Sequence, residues 1–129
     1  MGQGEGGGMS QRWYPRCVLF VRDAEAAFGH YTGALGFKPA WRHDEDGALL
    51  VAQVERDGVE IILNRDAERA GHGRVFLSVD PGQGLAVTEA MRAKGADVQL
   101  SHWGMPVLCV RDLDGNELLF SDLELGESD

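Results

Sequence analysis

Apolar and polar positions first fall into a regular pattern at residue 17, where CVLFVRD reads as a strand ending in an aspartate. Asp23 is placed to cap a helix over 24–35, AEAAFGHYTGAL, with Gly36 as its stop. Ala27, Phe28, Tyr31 and Leu35 make one apolar stripe on that helix. Next come a strand near 37–43, the turn Glu45-Asp46-Gly47, a strand over 48–55, the turn Arg56-Asp57-Gly58, and a strand over 59–64. Asp-Gly between two β-rich runs is a strong hairpin signal.

The second half repeats the order. RVFLSVD, 74–80, predicts a strand, 84–94 a helix stopped by Gly95, and 96–101, 106–111 and 117–121 three further strands. The phrases Asp57-Gly58-x-Glu60-Ile61-Ile62 and Asp114-Gly115-x-Glu117-Leu118-Leu119 stand 57 positions apart, as do Asp23 and Asp80. The recurring strand-helix-strand-strand-strand order marks an internal duplication. Helices on one face of largely antiparallel strands give an α+β class, with two βαβββ modules forming a curled mixed sheet around a cleft and helices outside. The chain divides into a flexible glycine-rich leader (1–11), one domain (12–122, with modules at about 14–66 and 73–122) and an acidic tail (123–129).

Strand alternation sorts residues by face. Cys17, Leu19, Val21, Val75, Leu77 and Val79 are expected under the helices. The opposite, concave face then receives Arg16, Val18, Phe20, Arg74, Phe76 and Ser78, together with Glu60, Ile62, Asn64, Glu117, Leu119 and Ser121.

Composition narrows the function classes. The chain has 129 residues, 43% hydrophobic and 26% charged, as expected of one globular domain. No apolar run is long enough to span a bilayer, and the start lacks the pattern of a signal peptide. Met9 offers an alternative start to Met1. Cys17 and Cys109 lie in apolar runs with no Cys-x-x-Cys pattern, which reads as reduced thiols in a cytoplasmic protein. A net charge of −9 disfavours nucleic acid and anionic membrane as partners. Much of that excess sits at Asp122, Glu124, Glu127 and Asp129, so it is a weak guide to ligand.

Two stretches carry a family resemblance. VRDAEAAFGHYTGALGFKP has a capping aspartate, Phe-x-x-Tyr and Leu-Gly-Phe, and RDLDGNELLF has Asp-x-x-Gly-Asn before a strand. The chain thus resembles the glyoxalase/bleomycin-resistance/extradiol-dioxygenase (vicinal oxygen chelate) superfamily from about Tyr14 to Asp122. Enzymes of that superfamily mostly hold a divalent metal with one His or Gln, Glu, His and Glu from four strands. The resemblance carries those positions onto Arg16, Ile62, Arg74 and Leu119, none of which has a lone pair for a metal. The expectation is therefore no metal and no cofactor. HWGM, 102–105, and RDLDGNELLF are closest to the bleomycin-resistance branch, whose members are small acidic homodimers that bind a drug without chemistry.

The resemblance implies a metal-free protein that sequesters a drug-like or metabolite ligand in a homodimer cleft. The alternative is a glyoxalase- or dioxygenase-like enzyme, a lyase or oxidoreductase, with an atypical or lost metal site. No catalytic residue is assigned. The expected ligand-binding set is Arg16, Phe20, Ile62, Asn64, Arg74, Phe76 and Leu119, with Trp103 as a lid; Trp41, Glu60, His102 and Glu117 are secondary candidates. Two readings of the arginines stay open. They could hold an anionic ligand, or they could pair with Glu60 and Glu117 in a vestigial metal site. Trp13 is expected to anchor the first strand, and His30 to face solvent.

Overall fold

The computed structural model describes residues 12–102 and 104–121. Trp103, the leader and the acidic tail lie outside the described residues. The first module runs β1 (Cys17–Val21), α1 (Ala24–Thr32), β2 (Lys38–Glu45), β3 (Ala48–Arg56) and β4 (Val59–Arg65). The second runs β5 (Arg74–Ser78), α2 (Gln83–Ala93), β6 (Asp97–His102), β7 (Pro106–Arg111) and β8 (Glu117–Ser121). Each module forms a four-stranded sheet, ordered β1-β4-β3-β2 and β5-β8-β7-β6. Within each sheet the pair nearest the start of the module is parallel and the others are antiparallel. A parallel pair needs a crossover, and the helix of each module supplies it. The expected α+β duplication of βαβββ units is what the chain adopts.

The expected faces also hold. Leu19, Val21, Ile61 and Leu63 are buried with Ala27, Tyr31 and Leu35 of the α1 segment. Leu108, Val110, Leu118, Phe120 and Met91 join the same core, so the two modules share one apolar interior. Val18 and Phe76, in alternation with these, are exposed.

Several local expectations are corrected. Helix α1 stops at Thr32, not Leu35, because Gly33 takes the cap and the Thr32 hydroxyl turns back to donate to the Phe28 carbonyl. Leu35 stays in the core beyond the helix end. Asp23 does cap α1, accepting from the Ala26 amide at 3.0 Å, whereas α2 has no side-chain cap. Trp13 is 94% exposed, so it does not anchor the first strand as expected. His30 is half-buried, with Nε2 out of solvent and no hydrogen-bond partner.

The two Asp-Gly phrases build different turns. Asp57 (φ 49°) and Gly58 (φ 87°) form a two-residue connection with both angles positive, the mirror-image turn that suits a tight hairpin. Between Arg111 and Glu117 the loop is five residues long, and Asp112 organises it. Asp112 Oδ1 accepts from the Asp114 and Asn116 amides at 2.9 Å each, and Oδ2 from Tyr31 and Asn116 Nδ2. This loop latches the second module onto the first. Asn116 Nδ2 donates to the Phe20 carbonyl at 2.9 Å, Gly73 N donates to Asn116 Oδ1 at 2.8 Å, and Arg22 pairs with Asp114 at 3.1 Å.

Candidate functional site

The register and burial place most of the sequence-derived candidates on the sheet faces turned away from the shared core. Phe20 lies opposite Asn64 and Val18 opposite Ile62 in the first sheet. Phe76 lies opposite Leu119, and Arg74 opposite Glu117, in the second. Arg16 precedes β1 and comes beside Glu60, with Nε 3.8 Å from Oε1. The candidates therefore fall into two matching groups, Arg16-Phe20-Glu60-Ile62-Asn64 and Arg74-Phe76-Glu117-Leu119. His102 ends β6, exposed, and Trp103 lies outside the described residues.

Arg16 and Arg74 are both engaged within their own modules. Arg74 donates to Glu117 Oε1 from Nη2 at 2.7 Å and from Nε at 3.1 Å, while Arg111 donates to Oε2 at 3.3 Å. Partial burial pushes the Glu117 carboxyl up, but the hydrogen bonds and charges of Arg74 and Arg111 outweigh it and hold it below the usual range. In the first module Arg16 reaches past Glu60 and donates to Gln53 Oε1 at 3.0 Å. Trp41 Nε1 donates to the same oxygen at 3.2 Å. Gln53 is only 4% exposed, so a buried amide oxygen ties an arginine and a tryptophan together at the centre of this face. The indole of Trp41 remains 42% exposed beside it.

The sequence pattern gives no role to Gln53 or Arg111. A lone glutamine inside the apolar strand ALLVAQVER was the available signal for Gln53. Cys109 lies opposite Leu119 on the concave side and is buried with Leu119 and Val107 in a small separate apolar cluster. Leu119, 1% exposed, is thus floor rather than accessible wall. Burial, the largest influence, and the nearby Glu117 carboxylate raise the Cys109 thiol, which leaves it a poor nucleophile. Phe20 is covered on one side by the Arg69 guanidinium, 5.3 Å from the ring centre.

The donor chemistry does not fit a divalent metal at the inherited positions. Arg16 and Arg74 offer only N–H groups, already donated, and Ile62 and Leu119 offer no donor atom. Among the described residues no group of three or more His, Cys, Asp or Glu gathers elsewhere. Nor is any described helix long and apolar enough to cross a membrane. Two cavities, of about 640 and 310 Å³, lie around the β3–β4 hairpin and α2. Of the residues expected on the concave face, they take in only Glu60 and Ser78.

A family model for the Glyoxalase/Bleomycin resistance protein/Dioxygenase superfamily matches residues 13–120. Among solved structures, the chain is similar to the bleomycin-binding protein of Streptomyces verticillus complexed with copper(II)-bleomycin. The TM-score is 0.70 at 19% identity, over 88% of this chain and 98% of that one. A glyoxalase/bleomycin resistance protein from Catenulispora acidiphila gives 0.66 at 23% identity, over 84% and 96%. The lactoylglutathione lyase of Agrobacterium tumefaciens gives 0.66 at 16% identity, over 93% and 100%. At these identities the likeness is one of fold. No curated protein gives a significant match.

Proposed function

Because this chain belongs to the Glyoxalase/Bleomycin resistance protein/Dioxygenase superfamily, we propose that it is a metal-free small-molecule-binding protein. It holds a drug-like or metabolite ligand on the concave faces of a cytoplasmic homodimer, without chemistry. One observation carries the reading: the four positions that would ligate a metal are Arg16, Ile62, Arg74 and Leu119, and both guanidiniums are already bonded to neighbouring side chains. With those guanidiniums engaged, neither arginine offers a lone pair to a metal. The face offers instead an exposed indole at Trp41, the Phe76 ring and the polar rims Arg16-Gln53 and Arg74-Glu117. These suit stacking plus orienting hydrogen bonds. Likeness to a bleomycin-binding protein supports the choice of ligand class. A second chain would close the open faces, as two-fold dimers of curved sheets do.

Titration of metal-free bleomycin by fluorescence or calorimetry tests the reading, with wild type and Trp103→Ala compared. Stacking on Trp103 predicts a loss of about 1–3 kcal/mol in the variant. Equal affinities would remove Trp103 from the site, and no binding by the wild type would remove the drug class. One equivalent of zinc, iron, nickel or manganese in protein purified without chelator, or a solution mass near 14.0 kDa at micromolar concentration, would contradict the rest.

A further inference from the structure

The duplication allows each module to be compared with its twin, and one row of charges breaks the match. In the second module Asp97, Arg111, Glu117 and Arg74 sit side by side across four strands with alternating sign. The equivalent row in the first module is Lys38, Glu55, Glu60 and Arg16, so two carboxylates stand directly opposite each other. Like charges facing across an antiparallel pair are destabilising unless something positive lies between them. Glu117 is saturated by two arginines, but Glu60 Oε1 is out of solvent and has no hydrogen-bond partner; Arg16 stays 3.8 Å away. An unsatisfied carboxylate oxygen is costly and asks for an N–H donor.

That oxygen belongs to a residue lining the 640 Å³ cavity between the hairpin end and α2. The same cavity takes in Glu55, Lys38 and Lys94, with Ala34 and Ala90 as its accessible apolar wall. Arg56 also lines it but is spent: Nη1 donates to the Leu35 carbonyl at 2.7 Å and Nε lies 3.6 Å from Asp57. Among the described residues Lys38 and Lys94 make no ion pair, although Lys38 stands opposite Glu55 in register. The cavity these groups line has the volume of a small-ligand pocket.

We propose that this cavity is a second binding site, for a small zwitterion such as an α-amino acid. Its ammonium meets Glu60 and Glu55, its carboxylate meets Lys38 and Lys94, and its apolar part lies on Ala34 and Ala90. The site shares Glu60 with the concave face but not Trp103, and the Trp103→Ala arm of the test separates the two. L-Methionine, its methyl ester and N-acetyl-L-methionine are titrated calorimetrically into the full chain. They carry both charges, the positive one alone and the negative one alone. The expected result is binding of methionine, with the two derivatives each at least about tenfold weaker. Glu60→Gln, near-isosteric, loses about tenfold, the scale of one charge-assisted hydrogen bond. Lys94→Ala is also weaker, and Trp103→Ala binds as wild type does. No binding of methionine, or undiminished binding by the ester, by N-acetylmethionine or by Glu60→Gln with an unchanged melting temperature, would overturn the proposal. So would loss of methionine binding in Trp103→Ala, which would move the amine onto the concave face.

Discussion

Asn116→Ala should be among the most destabilising single changes in this chain, and its cost can be worked from the latch it would remove. The Asn116 amide is fully buried; its Oδ1 accepts from Gly73 N at 2.8 Å and its Nδ2 donates to the Phe20 carbonyl and to Asp112 Oδ2. Truncation leaves the Gly73 N–H without its acceptor, at about 1–3 kcal/mol for a buried donor. The Phe20 carbonyl retains the Gly71 amide, at a long 3.4 Å, so its loss is nearer the low end of that range. Asp112 Oδ2 retains Tyr31 at 2.9 Å and loses little. The sum is about 2–4 kcal/mol, a large part of the roughly 5–15 kcal/mol that holds a typical domain. Urea unfolding followed by circular dichroism measures it, with the slope of the transition as a check on two-state behaviour. Asn116→Asp keeps the acceptor for Gly73 but sets a second carboxylate against Asp112, so it should be no better tolerated. A loss below about 1 kcal/mol for Asn116→Ala would show that water replaces the amide, and the latch would then be geometric rather than energetic.

Two pH dependences follow from the same loop and the second module. Burial first, then the Asp112 carboxylate, raises the Tyr31 hydroxyl well above its usual 10, so the native state holds that proton more tightly than the unfolded chain. The resulting stability is present below pH 10 and lost above it; Tyr31→Phe should flatten the alkaline limb of a urea-midpoint curve, and an unaltered limb would refute the assignment. Glu117 is the opposite case, held below its usual 4.5, so its contribution is present above that value and disappears as pH falls through the lowered one. Arg74→Gln should move the Glu117 carbon-NMR titration upward, and no movement would mean that Arg111 alone sets it.

The repeat and the alternation were legible because a duplicated sequence under a period of two leaves few other arrangements. Val18 and Phe76 fell outward and Leu19 and Leu118 inward, as the pattern required. What the pattern could not convey was where polar atoms meet across modules. Tyr31 and Asp112 lie 81 positions apart, and a helix stripe reads Tyr31 only as apolar. Matching phrases also concealed unequal turns, since Asp57-Gly58 and Asp114-Gly115 look alike whether the loop holds two residues or five. Gln53 was overlooked because a strand's apolar average hides one amide, although burying it obliges its neighbours to donate. The arginine pairs were one of two open readings, and only side-chain positions could separate them.

The reach of the 112–116 loop has a consequence for how the polypeptide comes into being. Contacts at separations of 92 and 96 residues complete the rim of the first module. A nascent chain that has emerged only as far as Arg65 already contains a whole βαβββ unit, yet its Tyr31 hydroxyl and Phe20 carbonyl still lack their native partners. Its apolar underside also waits for Leu108, Val110, Leu118 and Phe120. The first repeat, though topologically whole, cannot mature on its own during synthesis. It must await the last strands before either half is secure, and this makes a chain of two similar halves a single cooperative event.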